Sequence, residues 1–360
     1  MGPDWLERYW ESAGHVPAEV NPGSGHVAAF GNLLDLALRY HVLDGAPGIG
    51  QVQRDMRNDL RDERRCHSAL QLEVAALGAR AGFTAALEAR AAGRGGASDV
   101  ILRRDGQLLQ VETFVIFRDE RSQEAARHWD WLMDQIRNIG WRSDVGISGD
   151  LGERLDRDAS AELLRLIEAA AQAAVTTGED QPVAFRGARL RVLPPGSTTY
   201  QLNGGVEEGK GWPRIEAKLA QKAAQAAAGG GWLRADVLDG MWQFTPWAHA
   251  GLRAQIGEVA RLIQPVLGRV QGIEGVVLSS GALLAQGEFY GESARTEDGC
   301  YGLRRLLPAA RVRETMIVPV TPRGRGQARI WRELYNAEEE WLDWALHLAG
   351  LPQRDQIFGH

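Results

Sequence analysis

Cysteine and long apolar runs are scarce in this chain of 360 residues. The two cysteines, Cys66 and Cys300, stand far apart and predict neither a disulfide framework nor a cysteine-based zinc site. No apolar run approaches the roughly 20 residues that span a bilayer. The first residues, MGPDWLERYWESAG, lack the apolar centre of a secretory signal. These absences predict a cytoplasmic protein that does not cross a membrane.

Lysine is also rare, occurring only at Lys210, Lys218 and Lys222, although lysine and arginine together number 41. Acidic residues number 47, so the net charge is −6. That balance argues against sequence-blind nucleic-acid binding over a broad basic surface, but it leaves room for a local basic groove. Because arginine is abundant throughout, the few lysines carry more functional weight than the arginines.

Several familiar site motifs are missing as well. The eight histidines include no His-Glu-x-x-His pair. The glycine-rich stretch at 44–50, DGAPGIG, is not followed by the Lys-Ser/Thr of a phosphate-binding loop. Ser279 and Ser280 lack the Gly-x-Ser-x-Gly frame of a nucleophile elbow. The sequence therefore directs attention to its acidic residues.

The most informative stretch is 98–117, SDVILRRDGQLLQVETFVIF. Asp105-Gly106 between two apolar runs predicts a tight hairpin with strands Asp99–Arg104 and Gln107–Phe117. Asp99 opens the first strand, and Glu112 lies within the apolar second strand. A carboxylate in such a strand is costly unless it is paired or binds a cation. Two acids on neighbouring strands can share one hard cation, so we expect Asp99 and Glu112 to be metal ligands.

A third acid precedes the hairpin. Residues Glu63–Gly82 have apolar side chains at helical spacing and predict a helix that ends at a glycine and carries Glu73 in its middle. The following segment, Phe83–Ala89, predicts a first strand. The resulting order is a helix with Glu, a strand, a strand with Asp and a strand with Glu.

This order resembles the PD-(D/E)XK nuclease superfamily, whose fold is restriction-endonuclease-like. The resemblance covers about residues 61–118 and implies Glu73, Asp99 and Glu112 as catalytic acids, a Mg²⁺ cofactor and nucleic acid as a partner. The chain departs from the family at one position. The lysine that the family places two residues after the second acid is replaced by Phe114.

A lysine from elsewhere can replace the missing one. Residues Pro213–Ala228 predict a helix on which Lys218 and Lys222 share one face at i, i+4 spacing. The functional interpretation is that Lys222 reaches the metal site as a fourth catalytic residue. The alternative is a solvated helix face on which the lysines pair with Glu216.

Alternating helices and apolar strands predict an α/β protein. We expect an N-terminal helical cap over residues 1–60 and a restriction-endonuclease-like core over 61–150, made of a helix, three strands, a helix and a strand. An α/β elaboration over 151–360 can complete the core sheet. The predicted function is metal-dependent hydrolysis of nucleic-acid phosphodiesters. One alternative is a non-catalytic interaction or regulatory protein that keeps the nuclease-like fold. Another is an unrelated α/β enzyme with a small-molecule pocket.

Overall fold

The chain forms two compact units in a computed structural model. The first unit contains residues 1–117 and 211–360, and the second contains residues 118–210. These limits do not coincide with the boundaries at 60 and 150 expected from the sequence. The residues described are 26–58, 62–90, 97–116, 120–152, 155–197, 200–203, 211–226, 231–237, 251–280, 283–284, 291–307, 311–336, 338 and 340–358.

The first unit begins with helices and continues into an antiparallel meander. The helices are α1 (His26–Val42), α2 (Ile49–Asn58) and α3 (Asp62–Arg80), and the strands are β1 (Thr84–Arg90), β2 (Ala97–Arg104) and β3 (Gln107–Ile116). The β2–β3 hairpin pairs Arg104 with Gln107 across Asp105 and Gly106, which both have positive φ. This backbone matches the right-handed twist of the strands, so the hairpin predicted from Asp-Gly is confirmed.

The second unit follows β3 in the chain. It contains α4 (Glu120–Ser143), β4 (Val145–Asp150), α5 (Arg157–Thr177), β5 (Gln181–Phe185), β6 (Ala188–Pro195) and β7 (Tyr200–Asn203). The strands form a sheet in the order β5-β6-β4-β7. Side chains of α4 and α5 pack with alternate residues of β4 and β6 in one apolar core. The stretch at 182–193 predicts a β-hairpin that turns at Gly187, and the β5–β6 pair confirms it.

The chain then returns to the first unit and completes its sheet. The remaining elements are α6 (Gly211–Ala226), β8 (Gly231–Val237), α7 (Leu252–Leu267), β9 (Ile273–Ser280), β10 (Leu283–Leu284), β11 (Glu292–Arg295), β12 (Tyr301–Leu307), β13 (Arg311–Pro319), α8 (Pro322–Asn336), α9 (Trp341–Leu348) and α10 (Arg354–Phe358). The strand order is β1-β2-β3-β8-β9-β13-β12-β11, with β10 beside β13. Strands β3, β8 and β9 run parallel to one another, and the other neighbours are antiparallel. The protein is therefore of the mixed α/β class.

Two apolar cores cover the large sheet because side chains alternate along each strand. On β8, Trp232 packs with residues of α1, α2, α3, α8 and α9, whereas Leu233 and Ala235 pack with residues of α6 and α7. The near-continuous burial of β8 and β9 is typical of parallel strands covered on both sides. None of the described helices combines the length and the apolar character needed to cross a membrane.

Two sequence predictions for the C-terminal region are wrong. Apolar side chains at helical spacing over 329–350 predict a single helix, but α8 ends at Asn336 and α9 begins at Trp341. The break allows Glu338 to turn inward and accept a hydrogen bond from Arg313 at 2.9 Å. The basic stretch at 323–326 predicts a loop but instead forms the start of α8. Gly324 packs so closely there that a Cβ atom would lie 2.0 Å from the Glu274 carbonyl oxygen.

Candidate functional site

Helix α3 presents different polar residues on opposite sides. A helix turns about 100° per residue, so Arg64, His67 and Gln71 lie along one side. Glu73 lies about 200° around the axis from Gln71 by the same geometry. His67 and Gln71 contact acids of β2 and β1, whereas Glu73 contacts an arginine cluster. Helix geometry therefore separates Glu73 from the side that faces Asp99.

The predicted convergence of Glu73 with the two strand acids is not what the structure contains. The Glu73 side chain is 3% exposed and accepts hydrogen bonds from Arg313 at 2.6 Å, Arg234 at 3.0 Å and the Tyr335 hydroxyl at 3.2 Å. Arg39 lies 3.5 Å from the same carboxylate. Glu73 is the central anion of this arginine cluster, which we define as Glu73, Arg39, Arg234, Arg313 and Tyr335.

The arginine cluster keeps Glu73 ionised. Burial by itself would raise the pKa of this carboxyl group, but the charges of Arg313, Arg234 and Arg39 outweigh burial and hold the pKa well below its usual range. Further carboxylates balance the guanidinium groups. Glu338 pairs with Arg313, Asp35 pairs with Arg39, and Asp236 lies 3.3 Å from Arg234. The Glu73 carboxylate is therefore fully engaged by donors of the arginine cluster.

Asp99 lies where β2 separates from β3. The backbone pairing of these strands reaches Val100 with Val111. One step further, Asp99 Oδ2 accepts the Thr113 backbone N–H at 2.7 Å and the Thr113 hydroxyl at 2.9 Å. His67 Nε2 lies 3.1 Å from the same oxygen. Burial acts to raise the pKa of Asp99, but His67 and Thr113 lower it below its ordinary value. Asp99 is therefore held in place as an anion.

Glu112 follows Val111 on β3, one residue beyond the last β2–β3 pair, Val100 with Val111. The pKa of this half-buried carboxyl group is raised to about 7, first by burial and then by the negative charge of Asp99. The charges of Lys222 and His67 act in the opposite direction. The structure thus brings together three of the four predicted residues, namely Asp99, Glu112 and Lys222, while Glu73 belongs to the arginine cluster.

Lys222 approaches the acids from α6. Its Nζ lies 5.9 Å from the centre of the Phe114 ring, within the range of a cation–π contact. Lys218 and Lys222 are both partly buried, which differs from the solvated helix face considered as the alternative. Lys210 lies outside the described residues.

A pocket of about 260 Å³ adjoins these side chains. Arg64 and His67 of α3 line it from one element, Thr113, Phe114 and Val115 of β3 from a second, and the two lysines of α6 from a third. The pocket lies where β3 approaches its carboxyl end, which is the usual place for ligands beside parallel strands.

Three polar residues of the site were missed by sequence reasoning, namely His67, Gln71 and Glu88. Glu88 has a left-handed backbone with φ of 48°. It lies opposite Asp99, between the pairs Leu87–Val100 and Ala89–Ser98, and accepts a hydrogen bond from Gln71 Nε2 at 2.6 Å. The sequence did contain a signal for them. His67 and Gln71 have the i, i+4 spacing of one helix face, and the next strand, β1, carries the acid Glu88. Backbone strain of this kind is frequent at functional sites.

The site offers two strand carboxylates to a metal ion. Within the described ranges, no group of three or more His, Cys, Asp or Glu side chains is arranged to hold one. Mg²⁺ commonly takes one or two carboxylates and completes its shell with water and substrate phosphate. The raised pKa of Glu112 beside ionised Asp99 indicates an excess of negative charge that a cation would neutralise. Asp99 and Glu112 are the two carboxylates that the predicted Mg²⁺ would use.

Comparison of the chain with protein families, with curated proteins and with solved structures gives no match.

Proposed function

We propose that this chain is a Mg²⁺-dependent phosphodiesterase that acts on nucleic acid and has a PD-(D/E)XK-like core. The observation that carries the proposal is that Lys222 lines one pocket together with His67 and Thr113, the two residues that hydrogen-bond Asp99, and that the charges of Lys222 and Asp99 both act on Glu112. Asp99, Glu112 and Lys222 come from β2, β3 and α6, so three separate elements contribute to one site. Cys66 and Cys300 are not joined by a disulfide, which fits the cytoplasmic location that the proposal includes.

The element order supports the proposed core. Helix α3 is followed by the antiparallel strands β1, β2 and β3, then by α6 and by β8, which pairs in parallel with β3. This is the order of helix, three strands, helix and strand that the family resemblance implies. In this chain the second unit, 118–210, is inserted between β3 and α6.

Asp99 and Glu112 would hold the ion. A bound Mg²⁺ would polarise the phosphate and lower the pKa of an attacking water. The chain's own residues prepare for this chemistry. Thr113 and His67 fix Asp99 through Oδ2. Lys222 supplies positive charge where the phosphoryl oxygens become more negative, which is the role of preorganised cations in phosphoryl transfer.

Lys222 supplies the positive charge that is missing because Phe114 stands in place of the family lysine. Phe114 occupies the sequence position of that lysine and cannot carry charge. The Lys222 ammonium lies over the Phe114 ring and acts electrostatically on Glu112. A cation is therefore available at the site although it comes from α6 and not from β3.

A second candidate is a non-catalytic interaction protein that keeps this fold. The observation in its favour is that Asp99 Oδ2 already has three hydrogen-bonding partners, supplied by Thr113 and His67. A carboxylate oxygen engaged in this way is a weaker metal ligand than one with free lone pairs. In this candidate, Asp99 holds α3, β2 and β3 together and has no role in chemistry.

A cleavage assay separates the two candidates. Single- and double-stranded DNA and RNA would be incubated with Mg²⁺ or Mn²⁺ and the wild-type chain, Asp99→Ala or Lys222→Ala. We expect Asp99→Ala to abolish cleavage and Lys222→Ala to slow it about 10²–10³-fold, the usual loss when one group that stabilises transition-state charge is removed.

Two other outcomes would change the proposal. Cleavage that depends on Asp99 but is unaffected in a Lys218→Ala/Lys222→Ala double variant would eliminate the lysine role. No cleavage of any substrate by the folded wild-type chain would favour the non-catalytic candidate.

A further inference from the structure

The pocket beside Asp99 and Glu112 is lined by positive charge. Arg64, Lys218, Lys222 and His67 contribute basic side chains to its wall, and Thr113 contributes a hydroxyl group. Among the described residues that line it there is no carboxylate. The whole chain carries a net charge of −6, so this basic lining departs from the chain's average. A pocket of this composition favours an anion with several oxygen acceptors.

Arg64 is held in position at one side of the pocket. One of its terminal nitrogens lies 2.9 Å from Asp55 Oδ2 on α2. The other oxygen of Asp55 accepts a hydrogen bond from Gln51, so the acid is itself fixed. A guanidinium group has five N–H donors, and the contact with Asp55 uses one terminal nitrogen of Arg64.

The two lysines stand side by side on α6. Cβ atoms at i, i+4 spacing are about 5–6 Å apart on a helix, so Lys218 and Lys222 can serve neighbouring groups of one ligand. Of the two lysines, Lys222 is the one whose positive charge lowers the pKa of Glu112. Its ammonium group lies over the Phe114 ring. Lys218 lies one helical turn towards the N-terminus of α6. The pair therefore forms a short track that leads away from the proposed reaction centre.

We propose that Arg64 and Lys218 form a phosphate-binding subsite that holds the strand phosphate next to the one being cleaved. This inference rests on the proposed function because it assigns the neighbouring phosphate of the same substrate. Lys222 then serves the scissile phosphate, and Arg64 and Lys218 serve its neighbour. The ligand class is a polynucleotide strand, because the proposed substrate carries successive phosphates and the pocket lining offers Arg64 and Lys218 as cations in addition to Lys222.

Binding without cleavage tests the subsite. A fluorescent single-stranded DNA of roughly 12 nucleotides, within the site sizes of single-strand binders, would be titrated in EDTA over a series of salt concentrations. The proteins compared are the wild-type chain, Arg64→Gln, Lys218→Gln and, as a matched control, Arg253→Gln. Arg253 is exposed on α7 and is not among the residues that line the pocket. Melting temperatures would verify that each variant is folded.

The expected readout is the dependence of affinity on salt. Each phosphate contact to a single strand contributes about 0.7 to the slope of log K against log salt concentration. We expect Arg64→Gln and Lys218→Gln each to lower the slope by about that amount and to weaken binding, while Arg253→Gln changes neither. Wild-type slopes in both folded subsite variants would overturn the proposal.

Competition and cleavage distinguish the remaining possibilities. A nucleoside monophosphate and inorganic phosphate should compete weakly with the oligonucleotide. If either binds as tightly as the strand and loses that affinity in Lys218→Gln, the pocket belongs to a small phosphorylated molecule and the strand assignment is wrong. If the slope changes as expected but no cleavage occurs, Arg64 and Lys218 bind strand phosphate, but the nuclease proposal fails and with it the assignment of that phosphate as the neighbour of a cleaved one. If cleavage occurs but the slopes are unchanged, the nuclease proposal stands and the subsite proposal fails.

Discussion

The three acids selected from the sequence lie in two different surroundings within the first unit. Glu73 lies in the arginine cluster, and Asp99 and Glu112 lie at the β2–β3 hairpin. Glu73 has three arginines and a tyrosine around it and a pKa held well below its usual range. The pKa of Glu112 is raised to about 7, by burial and by the negative charge of another acid, Asp99. Cations surround the Glu73 carboxylate, whereas Glu112 experiences both the negative charge of Asp99 and the positive charge of Lys222.

The comparison teaches how a structural acid differs from a site acid in one fold. The donors around Glu73 satisfy it fully, and binding a metal there would require the loss of buried ion pairs. Glu112 is half-buried beside a pocket, and a bound cation would relieve its repulsion with Asp99. Glu73 is thus the predicted site acid whose carboxylate is already engaged by guanidinium groups.

The largest expected effect is on stability and comes from Glu73→Ala. Removing this acid leaves Arg39, Arg234 and Arg313 buried with too little compensating charge. The expected loss is about 3–5 kcal/mol in the free energy of unfolding, measured by urea denaturation. The matched control is Glu333→Ala, which removes the partly exposed partner of Arg104 and should cost at most about 1 kcal/mol. A stable Glu73→Ala variant that has lost cleavage would make Glu73 catalytic, as the family resemblance implies.

The second effect is stabilisation by metal ions. An ion that binds only the folded chain adds about 2.7 kcal/mol at one hundred times its dissociation constant. We expect Mn²⁺ to raise the melting temperature of the wild-type chain at constant ionic strength. The rise should disappear in Asp99→Ala and remain in the Glu333→Ala control. An equal rise in Asp99→Ala would place the bound ion elsewhere.

The third effect is a pH dependence introduced by Glu112. Its folded pKa of about 7 lies above the unfolded value of about 4.3. As pH rises between these values, the unfolded chain loses this proton while the folded chain retains it, so stability falls until the folded pKa is passed. Glu112→Gln removes that loss. Its melting temperature relative to wild type should therefore increase across this window and level off above it.

Glu338 does not disturb this comparison. Burial also raises the pKa of Glu338 to about 7, but Glu338 is present in both proteins and its contribution cancels in the difference. A difference in melting temperature that stays constant from pH 4 to pH 8 would contradict the assignment for Glu112.

The smallest effect concerns the backbone at Glu88. Both Glu88→Gly and Glu88→Ala lose the hydrogen bond from Gln71, but only glycine adopts a φ of 48° without strain. Glycine should therefore be the more stable variant by about 1 kcal/mol, measured by thermal melting. Equal stabilities would indicate that Glu88 carries no strain.

The sequence was a good guide to local structure near the site. The Asp-Gly turn fixed the β2–β3 hairpin, the apolar spacing predicted α3, and the boundaries of β1 and β3 differ from the prediction by one residue. These signals are local, because a turn type or a helical face is specified by residues a few positions apart. The same reasoning placed Lys218 and Lys222 on one face of α6.

The partners of each charged group were decided only by the tertiary structure. Glu73 accepts hydrogen bonds from Arg234 and Arg313, which are 161 and 240 residues away in the sequence. No local sequence pattern predicts such pairs. Lys222 reaches Glu112 because α6 returns to the sheet beside β3 after the whole second unit. The sequence by itself determined which residues are acids on neighbouring strands. Only the fold decided which acids are neutralised and which are left facing a pocket, because charges interact through space and not along the chain.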